Sequence, residues 1–292
     1  MNLGSFGVWS GALRNGARAA VLDAAAELEQ LGYGTIWFPG GQHEGLADHI
    51  SSILQHTRRV VVATGIVNIW THPSGEIAAE HHAITQAYPG RFLLGLGVSH
   101  QSVVERSGLR YVRPLQKMID YLNELDSAPI PVPIDERILA ALGPRMLELA
   151  GQRSCGSHPY FVPPEHTRIA RQSLGPSKVV APEHMVVLEA DPTKARAVAR
   201  PSIDRYLHAP NYTNNLQRLG FSTSDFAEGG SDRLVDAIVA WGTPEKIVER
   251  VKEHLVAGAD HVCIQVLTET PQDLPMAMNG WRRLAAMFAS SS

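Results

Sequence analysis

The feature that most constrains this chain is a rhythm. Short runs of β-branched and apolar residues alternate with longer stretches of helical periodicity along almost the whole sequence. Repetition of that kind predicts βα units and a parallel sheet covered by helices. The clearest strand covers 59–69, Arg-Val-Val-Val-Ala-Thr-Gly-Ile-Val-Asn-Ile, and its first part is an almost unbroken apolar run, as burial on both faces requires. Further strands are expected at 3–9, 35–38, 91–98, 138–142, 185–188 and 261–267, with a brief one within 155–162.

Between the strands the period changes to that of a helix. Over 17–31, Ala20, Ala24, Leu28 and Leu31 share one face, and Gly32 supplies the stop. Helices are also expected at 46–56, 74–88, 114–125, 144–150, 164–173 and 275–288, and one from Thr243 carries Ile247, Val251 and Leu255 on one side. Residues 192–240 exceed what one crossover needs and predict a helical insertion late in the fold. Eight strands with interleaved helices suggest a single (β/α)8 TIM barrel spanning 1–292, and an open doubly wound sheet is the competing architecture.

Composition removes several function classes. A net charge of -3 offers no basic surplus for nucleic acid. No apolar run approaches the ~20 residues of a membrane span, and Met1-Asn2-Leu3-Gly4-Ser5 lacks the regions of a signal peptide, so a cytoplasmic location is expected. Cys155 and Cys263 are far apart and make neither metal spacing nor a disulfide framework.

In a barrel the reacting groups sit at the C-terminal strand ends. Those ends are Trp9-Ser10-Gly11, Phe38-Pro39-Gly40, 65–70, Gly97-Val98-Ser99-His100, Leu142-Gly143-Pro144, Gly156-Ser157-His158 and Leu267-Thr268-Glu269. They are rich in glycine and offer no carboxylate pair for glycoside hydrolysis. Such a set suits a large flat ligand held by backbone and apolar contacts. Gly143-Pro144-Arg145 passes from strand to helix, where free N–H groups favour phosphate, although a plain helix start explains it too. His72 and His100 follow strands and either donate protons or are ordinary loop histidines. Trp9, Trp37 and Trp70 line a pocket or pack the rim. Arg14, Arg106, Arg110 and Arg113 are candidates to ring the mouth. Glu80-His81-His82 points to different helix faces. Glu44 and Asp48, beside His43 and His49, form the one metal-like grouping near a strand end, and no metal is expected. Ser10 is not in a nucleophile elbow, and 95–100 is not a dinucleotide fingerprint.

Five segments carry a resemblance. VVVATGIVNIW, PGRFLLGLGVSH, ILAALGPRMLELAG, GSDRLVDAIVAWGTPEKIVERV and AGADHVCIQVL resemble the luciferase-like monooxygenase superfamily, and within it the actinobacterial proteins labelled coenzyme F420-dependent oxidoreductases. The resemblance implies a flavin or deazaflavin across the barrel mouth, with coenzyme F420 expected and FMN the alternative. It implies a non-prolyl cis peptide at Gly65-Ile66, with Thr64, Val67 and Asn68 around it. Gly97, Val98 and Ser99 would border the ring, and Gly143, Arg145, Gly156 and Ser157 would approach the phosphate. His72, Ser99 and His100 are the catalytic candidates, assisting proton transfer to a small-molecule substrate in a pocket shaped by Trp9 and Trp70. The resemblance also implies a homodimer. One departure stands out: Trp37-Phe38-Pro39-Gly40-Gly41 lacks the acidic residue that relatives carry after the second strand. An FMN-dependent monooxygenase, a non-catalytic flavin-binding protein and a metal-dependent barrel hydrolase or aldolase are the rivals.

Overall fold

Alternation within each strand sets the architecture. The computed structural model describes residues 1–289. Its strands are β1 (Phe6–Trp9), β2 (Thr35–Phe38), β3 (Val61–Thr64), β4 (Val67–Asn68), β5 (Phe92–Gly97), β6 (Arg137–Leu139), β7 (Gly156–Ser157), β8 (Val179–Val180), β9 (Glu183–Val187), β10 (Val239–Trp241) and β11 (Val262–Val266). They pair in parallel in the order β10-β9-β11-β1-β2-β3-β5-β6-β7-β8, with β4 against β5. Successive residues of a strand face opposite sides. Trp9, Trp37, Val61, Ala63, Leu93, Ile138, Ala181 and Cys263 therefore meet in one cluster inside the curl. Their neighbours Val8, Ile36, Phe38, Val62, Leu94, Leu139 and Ile264 face outward under the helices. Each such side chain, fully buried, contributes about 1.5–3 kcal/mol.

The closed eight-stranded ladder expected from the rhythm needs correction. The sheet curls as a parallel α/β sheet, but its ladder is open, ending at β10 and at β8. The interruption falls at Ala181-Pro182, between β8 and β9, where proline has no N–H to give. Isolated bonds still cross this point. Ala181 N and Glu183 N donate to Ser157 O and Pro159 O at 2.9 and 2.8 Å, while Asp260 N and Cys263 N donate to Val180 O and Pro182 O, both at 2.9 Å. Other differences are local. The long third strand splits into β3 and β4 at Gly65-Ile66, the strand expected at 155–162 shrinks to β7, and β10 was not anticipated.

Residues 192–240 form a helical layer, as expected. Pro192–Leu207, Pro210–Arg218 and Asp232–Ile238 bury Ala199, Ile203, Tyr206, Tyr212, Leu216 and Leu234 against Met185, Val187 and Phe161. Asp191 caps the first helix by accepting from Lys194 N at 2.9 Å, and Ser231 caps the third. Arg196 ties the layer together through Asp232 and Asp236. Among the described residues, no helix is long and apolar enough to cross a membrane.

Candidate active site

At the C-terminal ends of the strands, under the inserted helices, lies a cavity of about 810 Å³. That volume suits a cofactor-sized ligand. Trp9, His158 and Tyr160 line the cavity, and Trp37 stacks behind His158 without reaching that space. Trp37 is fully buried, donates from Nε1 to His261 Nε2 at 3.0 Å and stacks on the His158 ring at 4.3 Å. Trp9 reaches across and donates from Nε1 to Gly65 O at 3.1 Å. His158 is tied by Nδ1 to Ala181 O at 2.7 Å. A carbonyl only accepts, so the proton sits on Nδ1 and Nε2 keeps a bare lone pair. That Nε2 has no partner, and His158 lines the cavity. Burial pushes its pKa down to about 4, so the ring is neutral.

One wall comes from β3 to β5. The Gly65-Ile66 bond is cis, as the resemblance implied. Gly65, Ile66, Asn68, Gly97, Val98, Ser99 and His100 all line the cavity. Gly97 must be glycine here, because a Cβ would stand 2.5 Å from Ile66 Cγ1. Ser99 takes φ 56°, the left-handed turn that leads from β5 to the helix Gln101–Arg106. His100 Nε2 shares a hydrogen bond with Tyr212 Oη at 3.1 Å. Burial, with a smaller contribution from the Arg205 charge, lowers the His100 pKa.

The opposite end is cationic. Gly143 caps the helix Pro144–Arg153, and Arg145 and Arg218 line the cavity beside it. A Cβ on Gly143 would lie 3.6 Å from Arg218 Nη1, so the two are in contact range. Pro144 has no N–H, and Met146 N and Leu147 N donate to Gly143 O, so the Arg145 N–H together with the two arginine side chains is what suits a phosphate here.

The third wall was not foreseen. Tyr160, Tyr206, Tyr212, Arg205 and Gln265 line the cavity. Arg205 Nη2 donates to Tyr206 Oη, Tyr206 and Tyr160 hydroxyls are 2.9 Å apart, and Tyr160 donates to Gln265 Oε1 at 2.8 Å. The glutamine oxygen only accepts, so the protons run from Tyr206 to Tyr160 to Gln265. These residues lie far apart in sequence, and only the alternation of His158 with Tyr160 along one extended segment hinted that both face inward.

Several expected residues lie elsewhere. Thr64 is buried with its hydroxyl between Gly95 O and Gly95 N, and Val67 packs in the outer core. Gly156 and Ser157 are buried inside the sheet, where Gly156 lets the Val179 backbone approach. Trp70 donates to Val98 O at 2.9 Å and braces that loop from behind the cavity wall. His72 is buried away from the cavity, with Nδ1 on Asn68 O at 2.9 Å. The roles expected of these residues thus shift to backbone support. Arg14 is bound to the carbonyls of Gly40, Gln42 and Glu44, and neither it nor Arg106, Arg110 or Arg113 lines the cavity. His43 faces Glu76 and Glu80, and His49 bonds Leu13 O. Among the described residues, no group of three or more His, Cys, Asp or Glu could hold a metal ion.

Comparison with known proteins adds the following. The family model for luciferase-like monooxygenase matches residues 1–261. The chain is 22% identical over 281 residues to the 5,10-methylenetetrahydromethanopterin reductase of Methanolobus tindarius, with 80% of this chain and 86% of that protein covered. It superposes with a TM-score of 0.74 and 17% identity on the coenzyme F420 dependent tetrahydromethanopterin reductase from Methanopyrus kandleri, covering 97% of this chain and 99% of that one. It also superposes, with a TM-score of 0.68 and 12% identity, on the oxygenating constituent of 3,6-diketocamphane monooxygenase from Pseudomonas putida, a type II Baeyer-Villiger monooxygenase in complex with FMN. There 97% of this chain and 96% of that one are covered.

Proposed function

The chain belongs to the luciferase-like monooxygenase family, and from that premise we propose that it is an F420-dependent oxidoreductase acting on a small organic substrate. We read the curled sheet as that family's (β/α)8 barrel. The observation that carries the reading is the cavity: it combines a glycine-lined wall at Gly65 and Gly97 with a cationic helix start at Gly143, Arg145 and Arg218. Those features fit a flat ring with a phosphorylated side chain. The orphaned lone pair of His158 Nε2 supplies an acceptor for an N–H or O–H group of a bound ring. When bound, the deazaflavin supplies two-electron hydride chemistry.

This chain's own residues do the rest. Arg218 and Arg145, the latter through its side chain and its N–H, hold phosphate. Trp9 and Ile66 back the ring. The inserted helices cover the cavity and limit water. His100, neutral and bonded to Tyr212, offers a ring N–H as a hydrogen bond to a developing oxyanion, with the Ser99 hydroxyl beside it, and the proton that completes reduction comes from solvent. Because the acid usual after the second strand is missing here, His100 takes its place as a hydrogen-bond donor rather than as an acid. We further propose a small-molecule reaction in the cytoplasm by a homodimer, with no nucleic-acid or membrane partner. Light scattering tests the dimer.

The likeness to an FMN-bound monooxygenase supports a second reading, oxygen activation by reduced FMN. Strictly anaerobic incubation with reduced F420 and a panel of aldehydes, ketones and enones separates the two. Oxidation of F420 without oxygen is expected. Turnover that appears only with oxygen and reduced FMN would replace the first reading with the second.

A further inference from the structure

The helix Pro192–Leu207 carries three arginines, and the fold treats one of them differently. Arg196 pairs with Asp232 and Asp236 at 2.7 and 2.6 Å, and Arg200 pairs with Asp232 at 2.5 Å. Arg205 lies about one and a half turns further on. It lines the cavity, and no carboxylate stands within ion-pair distance of it among the described residues. The adjacent Asp204 turns to His208 instead, at 3.5 Å.

The buried Glu183 carboxyl feels the Arg205 charge, but it makes no ion pair with it, and burial raises its pKa to about 8, so near neutral pH it stays mostly protonated and does not cancel that charge. Its guanidinium lies over the Tyr206 ring, 4.5 Å from the centroid, and Nη2 donates to Tyr206 Oη. The phenol protons are already committed along Tyr206, Tyr160 and Gln265, so these groups are neutral. His100, on the same wall, is neutral as well. A cation held against aromatic walls loses hydration and regains it best from an anion. The planar fork of arginine matches a carboxylate with two parallel bonds. Arg145 and Arg218 form a separate cationic end: Tyr212 and Arg218 lie on one helix, about 9 Å apart along its axis.

Resting on the reading of this cavity as a chamber for cofactor and substrate together, we propose that the substrate is a small carboxylate-bearing organic compound whose acid group docks on Arg205. The same anionic chemistry is present in the acidic tail of F420, so the test must tell the two sources apart.

The probes are benzoate and its neutral counterpart benzamide, titrated into the cofactor-free protein and followed by tryptophan fluorescence, with F420 titrated separately. Wild type is expected to prefer benzoate by about tenfold or more. R205Q should abolish that preference while its F420 affinity stays within about threefold. R205K, which keeps the charge but not the fork, should retain part of it, and it serves as the test if melting curves show that R205Q is unfolded. No preference in wild type, or a preference that survives in R205Q, overturns the proposal. So does a fall of about tenfold in F420 affinity with benzoate binding intact, which would assign Arg205 to the cofactor tail. If wild type fails to bind F420 yet prefers benzoate through Arg205, the cofactor reading falls and the anion site stands.

Discussion

Gly65→Ala tests the wall on which the functional reading leans. A Cβ at Gly65 would stand 2.5 Å from Trp9 Nε1 and 3.0 Å from both Trp9 Cδ1 and His158 Nε2. Ordinary carbon contacts lie near 3.5 Å, so the indole must retreat by about 1 Å. His158 cannot yield instead, because it is buried and stacked on Trp37 at 4.3 Å. Trp9 therefore moves toward the cavity and strains its bond to Gly65 O. Overpacking of this kind costs about 1–3 kcal/mol, which lowers Tm by roughly 2–6 °C in a chain of this size. The displaced ring also occupies space meant for the cofactor, and F420 affinity should fall by about tenfold or more, equivalent to ~1.4 kcal/mol. Differential scanning calorimetry and a fluorescence titration read the two effects separately. A lower Tm with unchanged F420 affinity would show that this wall does not face the cofactor. An unchanged Tm would refute the packing argument itself.

Other perturbations have equally definite outcomes. Burial holds His81, His158 and His261 at pKa values of about 4 and His184 at about 3, so the unfolded chain takes up protons on them that the fold refuses. Their contribution is fully present above the ordinary histidine value and is lost as pH falls, so Tm should drop between about pH 6.5 and 4. Glu183 works in the opposite sense: burial raises its pKa to about 8, so its contribution is fully present below the ordinary carboxylate value and lost as pH rises toward 8. A Tm maximum near pH 6.5 is expected, and E183Q should flatten the decline above it. R145Q and R218Q should each weaken F420 and FMN binding by about tenfold and reduce its salt dependence; equal affinity at all salt concentrations would move the phosphate elsewhere. Y160F removes the link between Tyr206 and Gln265 and should cost about 1 kcal/mol in chemical denaturation, whereas a neutral result would mean that the chain of hydroxyls is not formed.

Much of the fold was readable because burial on two faces leaves a mark in the sequence. The run at Val60–Ala63 and the glycines at 65, 95 and 97 are local signals of a covered strand and of close backbone approach. The cavity wall from β3 to β5 could be read from them together with the family resemblance. What escaped depends on packing between distant segments. Nothing local says that Tyr160, Tyr206 and Tyr212 meet, since helical periodicity gives a face but not the wall that face covers. The same limit misplaced His72 and Trp70, which follow a strand end yet turn beneath it. The open ladder was invisible for a different reason. Pro182 reads as an ordinary strand boundary, and only tertiary bonds on either side show that 179–187 is one extended segment serving two neighbours.

The central claim is that the cavity binds a deazaflavin, and a paired titration of the purified protein with F420 and with FMN tests it most directly. Trp9 lines the cavity and reports occupancy by quenching. The account predicts saturable binding of F420 with one site per chain and affinity for FMN weaker by about tenfold or more. Tighter binding of FMN, or binding of neither, would contradict it.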